Sequence, residues 1–101
     1  MTPEQKVQTK IIEYLKSLRD AGMPIFYEKR QAGGFSYKKG IPDIYGCYAG
    51  LHFEVEVKRP GGVQSALQEK FEQIMKHAGA KYAVVSNIND FKVWFAQELM
   101  K

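Results

Sequence analysis

Apolar residues near the start of the chain recur at spacings of three and four, at Val7, Ile11, Leu15 and Leu18. On a helix these positions fall on one stripe, so the stretch reads as an amphipathic helix packed on a core. Thr2 as N-cap, Pro3 at the first helical position and Gln5 reaching back as a capping box start it at residue 3, and Gly22 followed by Pro24 stops it. A second stripe runs through Leu67, Phe71, Ile74, Met75 and Ala78, opened by the capping pair Ser65 and Gln68 and closed by Gly79. Asn89 or Asp90 caps a third helix carrying Phe91, Phe95 and Leu99, although Phe91 to Phe95 alternates well enough to read as a strand instead.

Between these segments the period changes. Ile25 to Arg30, Asp43 to Tyr48, Leu51 to Lys58 and Lys81 to Ser86 read as strands, and the short turn at Ala49 and Gly50 pairs the second with the third as an antiparallel hairpin. Gln31 to Gly40, with three glycines, two aromatics and two lysines, reads as a loop. The order helix, three strands, helix, strand, helix predicts an α/β fold with a mixed central sheet flanked by helices. The second helix serves as the crossover between parallel strands.

Composition narrows the class. The 101 residues, 45% hydrophobic and 26% charged, suit one globular domain spanning 1–101 and argue against a disordered tail. A chain this short buries only about two-thirds of its unfolded surface, which leaves room for a second subunit to cover more. The single cysteine, Cys47, has no internal disulfide partner and reads as a small hydrophobe; no Cys/His cluster has zinc-ligand spacing. The N-terminal MTPEQKVQTK lacks an apolar signal region, and no stretch approaches the roughly 18 apolar residues of a membrane span, so the expected location is the cytoplasm, or a host cell's cytoplasm for a viral chain. The formal charge of +4 adds nucleic acid as an expected partner.

Within Leu51 to Lys58, strict alternation puts Phe53, Val55 and Val57 on one face and Glu54, Glu56 and Lys58 on the other. Alone, this is a half-buried strand with a solvated charged face. The neighbouring strand changes that reading, because it begins Gly40-Ile41-Pro42-Asp43 and Pro42 delivers Asp43 at a rigid strand start. Across a hairpin Asp43 comes close to Glu56 and Lys58. Two carboxylates suit a hard divalent ion such as Mg2+, which keeps several waters, and Asp43 and Glu56 would hold it for phosphodiester hydrolysis. Lys58 would orient the attacking water or stabilise charge on phosphorus.

These residues resemble the PD-(D/E)xK nuclease superfamily and, within it, the virus-type replication-repair nuclease (VRR-NUC) domain. The resemblance rests on Gly40-Ile41-Pro42-Asp43, on Glu56-Val57-Lys58 and on element order, and it covers nearly the whole chain. It implies the restriction-endonuclease-like core, catalytic roles for Asp43, Glu56 and Lys58, and Mg2+ or Mn2+ held by Asp43, Glu56 and the Val57 backbone carbonyl. Glu4, on one face with Gln8, Ile11 and Leu15, looks like the opening-helix glutamate that supports the metal; the competing reading is a first-turn acid favoured by the helix dipole. Gln68 resembles the glutamine after the Glu-x-Lys strand, though a cap explains it equally, and Gln64 is a weaker rival. Spacing to Lys58 selects Glu56 over Glu54, which either assists or is inert.

Lys29, Arg30, Lys38 and Lys39, interleaved with Phe35 and Tyr37 and free of intervening acids, predict DNA contact through phosphate charge and ring stacking, with Arg59 and Lys70 as flanking candidates. His52 and His77 lack partners at triad or metal spacing and read as surface or packing residues. The resemblance further implies a homodimer that cuts branched DNA such as four-way junctions, one site per subunit. The alternatives are a non-catalytic basic nucleic-acid-binding module, in which Asp43, Glu56 and Lys58 are an ion-pair cluster, and a nuclease acting on linear duplex DNA.

Overall fold

A computed structural model describes residues 1–30 and 40–101. The elements are α1 (Pro3–Asp20), β1 (Ile25–Lys29), β2 (Ile44–Tyr48), β3 (Leu51–Val57), α2 (Ala66–His77), β4 (Lys81–Val85) and α3 (Ile88–Glu98). The strands form one sheet in the order β1-β2-β3-β4, antiparallel except for the parallel β3/β4 pair that α2 joins. This is the predicted α/β class with its mixed sheet.

Local chemistry accounts for the boundaries. Both capping boxes form: Thr2 Oγ1 accepts from the Gln5 amide and Gln5 Oε1 from the Thr2 amide, and Ser65 and Gln68 repeat the exchange at α2. The hairpin turn has positive φ at both Ala49 (49°) and Gly50 (87°), which is the twist a two-residue connection needs. Helix α3 starts at Ile88, ahead of the expected cap at Asn89 or Asp90, because Asn87 Oδ1 accepts from the Asp90 amide. Phe91 and Phe95, four apart and both fully buried, settle that segment as helix.

Helices α1 and α3 cover one face of the sheet. Ile11, Leu15, Phe91 and Phe95 pack there against Ile44, Phe53, Val55 and Val57, and Phe95 meets Phe53 and Tyr48 edge to face at 5.8 and 5.3 Å. Each such buried side chain contributes about 1.5–3 kcal/mol of transfer free energy, so this layer carries most of the core. Helix α2 lies on the opposite face against β4, where Phe71 meets Tyr82. None of its residues is buried, and Leu67 and Ile74 of its predicted stripe are each 52% exposed. Among the described residues no helix is long and apolar enough to cross a membrane.

Candidate active site

The β2/β3 register sets Ile44 opposite Val55 and Tyr45 opposite Glu54. One residue further along the same register, Asp43 stands opposite Glu56. Asp43 lies just before β2 and Lys58 just after β3, so both sit past the ladder, each held by one further main-chain bond: Arg30 N donates to Asp43 O at 2.6 Å and Lys58 N to Val85 O at 2.9 Å. Gly40 sets up this strand start. Its φ of +87° suits glycine alone, and an added Cβ would lie 2.8 Å from the Leu67 backbone carbonyl carbon of α2.

The strand face that alternation alone would leave solvated is covered. Glu54 is completely buried and Glu56 only 8% exposed. Their surroundings differ. Glu54 accepts a fork from Arg30, Nη1 to Oε1 at 2.6 Å and Nη2 to Oε2 at 2.9 Å, and His52 Nε2 lies 2.6 Å from Oε2. Glu56 Oε1 is buried with no hydrogen-bond partner among the described residues. Burial pushes its carboxyl up from 4.5 to about 7; Lys58 pulls down, and the charges of Asp43 and Glu4 push further up. Four of the sequence-predicted residues, Glu4, Asp43, Glu56 and Lys58, therefore share one electrostatic neighbourhood.

Asp43 also opens onto a cavity of about 690 Å3 lined by Thr2, Glu4, Gln5, Gln8, Lys29 and Arg30. Gln8 Nε2 donates to Asp43 Oδ2 at 3.0 Å, tying α1 to the strand start. This contact escaped sequence reasoning, although a glutamine one turn before Ile11 on an otherwise apolar stripe was a signal. Tyr82 was missed too: its hydroxyl is buried without a partner among the described residues, and burial, then the charge of Glu56, hold its ionisation well above the usual tyrosine range.

The remaining expected residues lie around this neighbourhood or outside the described residues. Arg30, expected to face DNA, has its guanidinium engaged by Glu54 and by the Pro42 carbonyl at 2.7 Å, over the Tyr45 ring at 4.2 Å. His52, read as a surface or packing residue, lies 2.6 Å from Glu54 because residues two apart on a strand share a face. Gln68 uses its carboxamide oxygen to cap α2, while Gln64 Nε2 is buried with no partner among the described residues. Lys29, Arg59 and Lys70 are exposed. Phe35, Tyr37, Lys38 and Lys39 lie outside the described residues.

The donor set fits a hard divalent ion. Two carboxylates lie within electrostatic reach of each other at the ends of one strand pair, and one carries a buried oxygen with no partner among the described residues, which a cation, a proton or water could satisfy. Among the described residues no group of three or more His, Cys, Asp and Glu is placed to hold a metal; Mg2+ ordinarily takes only one or two carboxylates and keeps several waters.

No protein-family model matches the chain, and no curated protein matches it. A solved structure described as a VRR_NUC domain does: it superposes with a TM-score of 0.76 at 20% sequence identity, over 97% of this chain and 98% of its own. The chain has the fold of a VRR-NUC domain.

Proposed function

We propose that the chain is a Mg2+- or Mn2+-dependent endodeoxyribonuclease that hydrolyses phosphodiester bonds. The observation that supports this best is the pairing of Asp43 with a buried Glu56 whose free oxygen has no partner among the described residues. Burying an unpaired carboxylate is costly, and a site that draws a cation or a proton to it is suited to acid–base and metal chemistry. Asp43, Glu56 and the Val57 carbonyl would hold the ion, with Glu4 in support. Bound there, it would polarise the phosphate and lower the pKa of a water.

The chain's own groups do the rest. Lys58 carries its ammonium on the same strand face as Glu56, where it orients the attacking water and offsets charge building on phosphorus. Gln8 donates to one oxygen of Asp43 and so restrains its carboxylate. Lys29, Lys38, Lys39, Arg59 and Lys70 bind DNA through its phosphates, and Tyr37 adds stacking.

The functional unit in this reading is a homodimer with branched DNA, such as a four-way junction, as its substrate. Its support is the charge of +4, which favours DNA, and the apolar Leu67 and Ile74 left exposed on α2, which a second subunit would cover. Incubation of the purified chain with matched linear, flap and four-way-junction DNA, with and without divalent metal, tests class and substrate together. Cleavage that needs metal, stops reversibly in EDTA and disappears in Asp43→Ala is the expected result. Undiminished cutting in EDTA, or in Asp43→Ala, would sink the assignment, and metal-independent binding without cleavage would favour the basic binding module.

A further inference from the structure

Arg30 holds the main chain on both sides of Asp43. Its Nη1 donates to the Pro42 carbonyl at 2.7 Å, which belongs to the peptide plane before the Asp43 Cα. Its backbone N–H donates to the Asp43 carbonyl at 2.6 Å, in the plane after it. With both planes fixed, the φ and ψ of Asp43 are fixed, and so is the direction of its Cα–Cβ bond. The guanidinium is itself immobilised by the two-bond fork to Glu54, by the Tyr45 ring beneath it and by the bond that His52 makes to the same carboxylate.

Glu54 is fully buried inside the sheet and has both oxygens engaged, so it serves as the anchor of this arrangement. A lysine could supply the charge but not the planar fork that grips a carboxylate with two N–H groups while reaching a carbonyl with a third. We propose that Arg30 is a positioning residue of the site: clamped on Glu54, it sets the Pro42–Asp43 backbone so that Asp43 presents its carboxylate beside Glu56. The proposal rests on the metal-dependent reading above and adds to it a residue pair that touches neither substrate nor ion.

The test measures metal uptake by the full chain without turnover. Mn2+ affinity is taken by calorimetry, and folding by urea unfolding in EDTA, for wild type, for Arg30→Lys and for the paired Arg30→Gln/Glu54→Gln variant, in which no lone charge stays buried. Both variants should remain folded and bind Mn2+ about 10–100-fold more weakly, the usual effect of removing a group that orients a ligand. Cleavage by Arg30→Lys should then recover as Mn2+ is raised, which a general loss of structure would not allow. Unchanged Mn2+ affinity in either folded variant would overturn the proposal, and so would failure of both to fold, since the pair would then act on stability alone. A wild type that takes up no Mn2+ would instead defeat the metal-dependent reading.

Discussion

Glu56→Gln should make the metal-free protein more stable while abolishing its activity. The Glu56 carboxyl, ordinarily at 4.5, is pushed up to about 7, first by burial and then by the charges of Asp43 and Glu4, against the pull of Lys58. The folded chain thus holds this proton more tightly than the unfolded one, so the contribution is fully present below pH 4.5 and is lost as pH rises through about 7. At about 1.36 kcal/mol for each pH unit the full cost above pH 7 is about 3 kcal/mol, and solvent screening at an open site brings it to about 1–2 kcal/mol. Glutamine has nearly the same shape and no charge. It should recover most of that amount at pH 8, raising the melting temperature by roughly 5–10 °C in a domain of this size.

Calorimetric melting in EDTA at pH 8 and pH 3.5 checks the magnitude and its cause together. At pH 3.5, below the ordinary value of 4.5, Glu56 is protonated in the folded and the unfolded chain alike, so the two proteins should melt together. Added Mg2+ should raise the melting temperature of the wild type and leave Glu56→Gln where it was, because only the carboxylate rewards the ion. A variant less stable than wild type at pH 8 would mean that Glu56 forms a stabilising pair with Lys58, and the reasoning would fail. An equal gain at both pH values would trace the effect to packing and would also refute it.

Gly40→Ala should cost about 3 kcal/mol in urea unfolding, combining a left-handed residue with a Cβ pressed on the Leu67 backbone; a cost well below about 1 kcal/mol would show that the strand start can relax. Lys58→Ala should lower the cleavage rate by about 100-fold in single-turnover assays with little change in Mn2+ affinity, and retained rate would remove Lys58 from the chemistry. Ala49→Asn, at the positive-φ first position of the hairpin turn, should stabilise the chain by about 0.5–1 kcal/mol without altering cleavage; destabilisation on melting would contradict the turn geometry. Lys38→Ala combined with Lys39→Ala should weaken duplex and junction binding alike and flatten the salt slope by about 0.9 for each phosphate no longer neutralised, which filter binding across a salt series would detect.

The fold was legible where side chains act locally. Capping pairs at Thr2/Gln5 and Ser65/Gln68 and the spacing of Val7, Ile11, Leu15 and Leu18 carry their geometry in their own order, and helices α1 and α2 start where those signals place them. Helix α3 was missed by a short offset because Asn87, Asn89 and Asp90 are all competent caps, and only the structure shows that Asn87 meets the Asp90 amide. Asp43 and Glu56 were legible as a pair because a two-residue turn fixes the register of a hairpin. Gln8, Arg30 and Tyr82 were not. Their roles depend on where α1, β1 and β4 sit around that hairpin, and nothing local to those residues encodes such long-range placement.

Glu54 and Glu56 show how far that limit reaches. They are the same residue type on the same strand face, two positions apart, both buried, and alternation treats them alike. What separates them is the partner that the neighbouring strand brings. Glu54 lies opposite Tyr45 and receives Arg30, which forks to both its oxygens. Glu56 lies opposite Asp43, a second acid, and keeps one oxygen unpaired among the described residues. A buried carboxylate given an arginine is a structural anchor, whereas one set against another carboxylate is left in need of a cation or a proton. The spacing to Lys58 pointed to Glu56, and the packing distinguishes the two carboxylates in a way the spacing could not: Glu54 has both oxygens engaged, and Glu56 keeps one without a partner among the described residues. Moving the arginine's reach by two residues along β3 would neutralise Glu56 and leave Glu54 facing the aromatic ring of Tyr45, with no second carboxylate beside it to share an ion.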